Sequence, residues 1–154
     1  MIKILFICHG NICRSPMAEF MLKDMVEKLN IKDEFYIQSA ATSTEEIING
    51  IGSAVYPSAR EELALHGISC EGKHAVQINI SDYNKYDYII CMERINVRNA
   101  LRILKSDPQN KIKLILDFTD NPRDVADPYY TGDFSKTYED ISAGLKGLLN
   151  YLGY

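Results

Sequence analysis

No run of apolar residues in this 154-residue chain approaches the roughly 20 needed to cross a bilayer. The amino terminus carries Lys3 and then only five apolar residues, Ile4 to Cys8, too few for the core of an export signal. The expected setting is therefore the cytoplasm, a reducing compartment in which the four cysteines (Cys8, Cys13, Cys70, Cys91) do not form structural bridges. Positive charge is not in surplus: 17 Lys and Arg face 21 Asp and Glu, which argues against a nucleic-acid partner held by bulk charge. There is no Cys-x-x-Cys pair, and none of the three histidines stands at metal-ligand spacing, so no metal and no cofactor are expected. Repeats and low-complexity linkers are absent as well. What is present, 46% apolar residues, suffices for a core and excludes intrinsic disorder. The length supports one domain, residues 1–154.

Short apolar runs alternate with helical patterns. Lys3–Cys8 reads as a strand buried on both faces, Pro16–Leu29 as a helix with Ser15-Pro16 as cap and first position, and Phe35–Ala40 as a second strand. Pro57–His66 reads as a helix closed by Gly67, Tyr88–Met92 as a third strand, Asn96–Leu104 as a helix, and Lys111–Leu116 as a fourth strand. A last helix has Tyr138, Ile141, Leu145, Leu148, Leu149 and Leu152 on one face, with Gly144 and Gly147 as weak spots. This order predicts an α/β fold, a four-stranded parallel sheet with helices on both faces. In such sheets ligands bind beyond the carboxyl ends of the strands. Two segments rich in chemistry fall there, Cys8 to Ser15 and Asp120 to Asp133.

The first reads Cys8-His9-Gly10-Asn11-Ile12-Cys13-Arg14-Ser15. Gly10 and Asn11 tolerate positive φ, so the chain can curl and aim successive N–H groups at an anion. The following helix adds its positive end, and Arg14 can fork two N–H bonds onto an oxyanion. Cysteines at helix amino termini and beside cations fall to a pKa of ~3.5–7.5, which makes a standing nucleophile. Cys8 would then attack a phosphoryl group held in the cup, in line, through a covalent intermediate.

This segment resembles the signature of the low-molecular-weight protein tyrosine phosphatases, Cys-x-Gly-Asn-x-Cys-Arg-Ser-Pro-x-Ala-Glu, at every fixed position from Cys8 to Glu19. The resemblance continues through Ser39-Ala40-Ala41-Thr42-Ser43, His66-Gly67-Ile68, Cys91-Met92 and Asp127-Pro128-Tyr129-Tyr130, in the family's order. It implies a Rossmann-type fold in which Asn11, Ser15 and Ser43 brace the phosphate loop and Ser15 assists the Cys8 sulfur.

Departure of an alkoxide or phenolate from phosphorus calls for a general acid opposite the thiolate. Asp127 is the candidate, and an Asp-Pro surface turn is the alternative on composition alone. The resemblance favours the acid, with Asp120 and Asp124 as weaker rivals. Tyr129 and Tyr130 can wall a slot for an aromatic group. Three positions depart from the family pattern: Lys73 stands where a bracing His is common, Glu93 replaces an Asp, and Glu45–Ser53 is longer and lacks an aromatic. Glu45 and Glu46 at the cleft rim would repel acidic peptides or select basic ones, unless the segment is a plain solvated loop.

The expected activity is hydrolysis of phosphotyrosine proteins or small aryl phosphates to inorganic phosphate by a monomer that engages neither nucleic acid nor membrane. Cys8, Arg14 and Asp127 are the catalytic candidates. His9, Gly10, Asn11, Ile12, Cys13, Ser15 and Ser43 bind or support phosphate, and Tyr129, Tyr130 and Glu45 form the substrate wall. Arsenate reduction is a rival on this scaffold, but Cys91 lacks a nearby cysteine to relay a disulfide. Phosphoarginine hydrolysis is another, disfavoured by Ile12 and by the paired tyrosines. A binder without turnover is a third, although no catalytic candidate is missing. Cys13 is also a redox partner, able to form a reversible disulfide with oxidised Cys8.

Overall fold

Ile4, Leu5, Phe6 and Ile7 are all buried, as expected of a strand covered on both faces. A computed structural model describes residues 1–154. In chain order the elements are β1 (Ile2–Cys8), α1 (Arg14–Lys28), β2 (Phe35–Ala41), the two-residue strands β3 (Ile47–Ile48) and β4 (Ile51–Gly52), α2 (Pro57–Leu65) and α3 (Asp82–Lys85). They continue with β5 (Tyr88–Cys91), α4 (Arg94–Leu104), β6 (Ile112–Leu114), α5 (Pro128–Thr131) and α6 (Phe134–Tyr151). No helix is long and apolar enough to cross a membrane.

The main sheet runs β2-β1-β5-β6, every pairing parallel. Side chains alternate along β1, and each face has its own core. Ile4, Phe6 and Cys8 join the larger core, with Met17, Met21 and Leu22 of α1, Leu63 of α2 and Ile141, Leu145 and Leu148 of α6. Leu5 and Ile7 join the smaller one, with Tyr83 and Leu104 from the opposite layer and Cys91 of β5. The four-stranded parallel sheet with helices on both faces is thus as anticipated. Because the chain leaves β1 first for β2 and then returns to β5 on β1's other side, the loops after β1 and β5 diverge and leave a crevice between them.

Several boundaries differ from the sequence reading. The fourth strand stops at Leu114 because Ile115–Phe118 winds into a 3-10 turn. Helix α6 starts at Phe134, where the Asp133 carboxylate accepts from Lys136 N at 2.9 Å. Helix α1 starts at Arg14; its cap position is Cys13, which makes no side-chain cap hydrogen bond, and Ser15 is turned elsewhere. The segment after Ser43 is an antiparallel hairpin, not a plain solvated loop.

Gly144 and Gly147 are close-approach positions rather than weak spots. A Cβ on Gly147 would stand 2.0 Å from the carbonyl oxygen of Phe118, and one on Gly144 would stand 2.6 Å from Ile115 Cγ1. The bare helix face lets the 115–118 turn press onto α6 and so sets where the chain departs toward Asp127. Gly147→Ala forces this contact apart and should cost about 1–3 kcal/mol, the usual range for overpacking. Its denaturation midpoint should fall, whereas an exposed control such as Lys146→Ala should not; equal midpoints would contradict the packing.

Candidate active site

Cys8 ends β1, and the next residues curl because their carbonyls are tied outward. Thr42 N donates to Cys8 O and Ser43 N to His9 O, each at 3.0 Å, and Tyr56 N donates to Ile12 O at 2.8 Å. In a trans peptide the next N–H points the opposite way. The amides of His9, Gly10 and Cys13 are thereby turned toward the inside of the curl. Asn11 takes the positive φ, 60°, that the turn requires; Gly10 does not. The uncapped start of α1 adds free N–H groups to the same space.

The Asn11 carboxamide fixes the direction of a hydrogen-bond chain. Its Oδ1 accepts from Val76 N at 3.1 Å, so both Nδ2 protons go to serines, Ser15 Oγ at 2.8 Å and Ser39 Oγ at 2.9 Å. Each serine oxygen is then an acceptor from Asn11, and its own proton must go elsewhere. Ser39 donates to Glu19 Oε1 at 2.6 Å, and Ser15 is left to donate to Cys8 Sγ at 3.0 Å. Glu19 is 1% exposed and is held by Lys23 Nζ at 2.6 Å and Lys73 Nζ at 3.5 Å. Lys73 also donates to Ser39 O at 2.9 Å. Burial lowers the Lys73 pKa, opposed by its attraction to Glu19. The lysine that departs from the family pattern therefore has a bracing contact of its own.

Arg14, 2% exposed, is gripped along its guanidinium. Nη1 donates to Val125 O at 2.8 Å, and Nη2 lies 3.0 Å from Glu93 Oε1 and 3.3 Å from Asp127 Oδ2. Burial works against the charge, yet Cys8, Glu93 and Asp127 together raise the pKa above its ordinary value. The longer Glu93 side chain does reach Arg14. Its backbone is fixed as the cap of α4, where Asn96 Oδ1 accepts from Glu93 N at 3.0 Å. Asp127 caps α5, its Oδ1 accepting from Tyr129 N at 3.1 Å, so this carboxylate and the following tyrosines are placed as one unit.

These groups surround a cavity of about 250 Å³, lined by Cys8, His9, Gly10, Ile12, Cys13, Arg14, Glu45, Glu46, Asp127, Tyr129 and Tyr130. Both tyrosines are exposed and meet edge to face at 5.4 Å; Tyr129 also meets Tyr56 at 5.8 Å. Across the mouth His9 Nε2 lies 2.9 Å from Glu45 Oε2. The other cysteines are held as thiols. Burial first, and then the nearby Cys8, push Cys13 up to about 12, and burial also raises Cys70 and Cys91.

Ser43 braces the loop after β1 through its backbone, N–H to His9 O at 3.0 Å, while its Oγ accepts from Glu45 N at 3.3 Å; the serine whose hydroxyl meets the Asn11 carboxamide is Ser39. The strand register decides this, since Ser39 stands beside Phe6 while Ser43 lies beyond the end of β2. Gly10 does not take the positive φ that the sequence allows it; within the loop Asn11 does, at 60°. Asp124 is taken up by Arg94, N···O 3.0 Å, and Asp120 does not line the cavity. Glu19, Lys73, Glu93 and Tyr56 carried no assigned role. For Glu19 a signal existed: it stands four residues after Ser15, next to Ala18 on the buried side of α1, where a carboxylate needs a partner.

The chain matches the family model for low molecular weight phosphotyrosine protein phosphatase over residues 3–153. It is 36% identical to the Bacillus subtilis low molecular weight protein-tyrosine-phosphatase YfkJ, covering 97% of this chain and 94% of that one. The crystal structure of YfkJ superposes with a TM-score of 0.92 over 99% of this chain and 94% of that chain, at 34% identity. A low molecular weight protein tyrosine phosphatase from Streptococcus pyogenes gives 0.87 at 36% identity, covering 100% and 95%. The Drosophila arginine phosphatase gives 0.86 at 28% identity, covering 99% of each chain.

The Glu19–Lys73 pair beneath the loop can be separated by mutation. Glu19→Leu strands a buried ammonium and should cost about 3–5 kcal/mol, whereas Glu19→Leu with Lys73→Met should recover most of that loss. Denaturant unfolding of the cycle reads the coupling; additive losses would show that the two groups do not support each other.

Proposed function

The chain belongs to the low molecular weight phosphotyrosine protein phosphatase family, and from that premise we propose that it hydrolyses phosphotyrosine, and small aryl phosphates, through a phosphocysteine on Cys8. The observation that carries this reading is the Ser15 proton aimed at Cys8 Sγ, 3.0 Å away on the floor of a cavity shared with Arg14 and Asp127. The thiolate attacks phosphorus while the S–P bond forms and the P–O bond to the phenol breaks. Arg14 and the inward amides of His9, Gly10 and Cys13 hold the equatorial oxygens, supported by the curl that Asn11 and Ile12 complete. The incoming phosphoryl group takes Arg14 Nη2 from Asp127, which then faces the leaving oxygen and gives it a proton. In the second half Asp127 takes a proton from water, whose oxygen attacks phosphorus. The S–P bond breaks, inorganic phosphate departs, and Ser15 again donates to the thiolate.

Tyr129 and Tyr130 support an aromatic leaving group, stacked in the slot they wall, with Tyr56 against Tyr129 at 5.8 Å. The likeness to an arginine phosphatase makes phosphoarginine the alternative to exclude. A disulfide relay for arsenate has less support: Cys91 is fully buried in the core on the sheet face opposite Cys8. The proposed working unit is a monomeric single domain in the cytoplasm.

The deciding measurement is turnover of matched phosphotyrosine, phosphoserine and phosphoarginine peptides with chelator present. Phosphotyrosine alone should be hydrolysed, vanadate should block it, and Cys8→Ser should abolish it; a fully active Cys8→Ser enzyme refutes the mechanism. Asp127→Ala should lower kcat by ~10²–10⁴, the usual share of general acid–base catalysis.

Cys13 gives a separate expectation. Once peroxide converts Cys8 to a sulfenic acid, the charge that helps hold Cys13 protonated is gone, and its sulfur can displace water to close a disulfide. Peptide mapping after mild peroxide should find Cys8 joined to Cys13 and reversible by thiol; a sulfinic Cys8 beside free Cys13 would rule it out.

A further inference from the structure

Asn49 and Gly50 both take positive φ, 52° and 76°, as a two-residue hairpin turn requires. Flanking it, Ile48 and Ile51 form a directly opposed pair whose side chains share one face. They are 69% and 72% exposed, so two β-branched apolar residues stand together in water.

Their mount is firm. Ser53 N donates to Glu46 O at 2.8 Å, and Ala75 N donates to Ser53 O at 2.9 Å. Gly52 lies so close to the neighbouring segment that a Cβ would sit 1.9 Å from Ala75 O. The hairpin also reaches the cavity: Glu46 lies against Gly10, and Glu45 pairs with His9. The outer charges at the mouth are therefore Glu45 and Glu46, beside His9, while Arg14 is buried below. Two residues of extended chain span about 6.6 Å, so the isoleucine pair is within a few residues' reach of a side chain seated in the cavity.

We infer that the hairpin is a docking surface for the substrate protein, selecting phosphotyrosine followed or preceded by Lys or Arg and then by an aliphatic side chain two to four residues away. This rests on the phosphotyrosine reading above and names the sequence class that the site takes. The basic residue meets Glu45 and Glu46, and the aliphatic one covers Ile48 and Ile51. Charge complementarity at the rim commits the surface to a basic substrate segment rather than to a second copy of this acidic chain, whose own net charge is −4.

The test compares phosphotyrosine peptides that differ only at these positions, with p-nitrophenyl phosphate as the small substrate. The basic-aliphatic peptide should have the highest kcat/KM, and its advantage over the acidic peptide should shrink with salt. Ile48→Thr with Ile51→Thr should raise its KM by about tenfold, on the order of the loss of one apolar contact pair, and leave p-nitrophenyl phosphate turnover unchanged. Glu45→Gln with Glu46→Gln should cut the basic-to-acidic ratio by about two- to fivefold, as expected for exposed pairs. Unchanged peptide kinetics in the isoleucine variant would overturn the docking surface, and so would a dimer that only this variant dissolves. Failure of every phosphotyrosine substrate and of p-nitrophenyl phosphate with the unsubstituted protein would instead overturn the function itself.

Discussion

The carboxamide of Asn11 has two protons and one carbonyl oxygen, and the loop around Cys8 depends on how they are distributed. With Val76 N–H committed to the oxygen, both protons fall to serines, and each serine hydroxyl can point in one direction only. A backbone amide 65 residues away thus settles where the Ser15 proton goes. The same side chain holds the positive φ that closes the curl. Loss of this one amide would therefore free the direction of the hydrogen-bond chain and loosen the loop geometry together.

Beneath the loop lie groups that are expensive to bury: Arg14, Glu19 and Lys73. Each is tolerable because its contacts are nearly saturated, Arg14 by Val125, Glu93 and Asp127, and Glu19 by Ser39, Lys23 and Lys73. The price is interdependence, since all of these partners except Lys23, which lies on the same helix, come from other parts of the chain. Strand order brings them to one place: β1 lies between β2 and β5, so the segments leaving Cys8, Ala41 and Cys91 must meet at the same end of the sheet.

That convergence explains which parts of the molecule could be read from one dimension. The buried strand ending at Cys8, the loop and the helix after it are contiguous, and their apolar run and turn residues report directly on local structure. So do the parallel sheet and the sandwiching helices, which follow from the alternation of patterns. The choice between Ser39 and Ser43 depends instead on how β2 slides along β1, and no local pattern records a register. Glu19 broke an otherwise apolar face, and only the fold shows that it meets two lysines and a serine there. Glu93 could be judged only once the distance to Arg14 existed. The Asn49-Gly50 turn was a visible hairpin signal, but strands of two residues are too short to show alternation. Gly147 looked like a poor helix residue because the Phe118 carbonyl that needs its bare Cα is remote in sequence.

The missing cap of α1 has a thermodynamic meaning of its own. A helix start without a side-chain acceptor forgoes about 1 kcal/mol, and its N–H groups remain unsatisfied. On the proposed function, an oxyanion seated in the curl completes that helix end, so ligand binding and folding become linked. A tetrahedral dianion bound there stabilises the whole fold by RT ln(1 + [L]/Kd). Selection for an uncapped, receptive helix terminus is, on that reading, selection against maximal stability of the free enzyme.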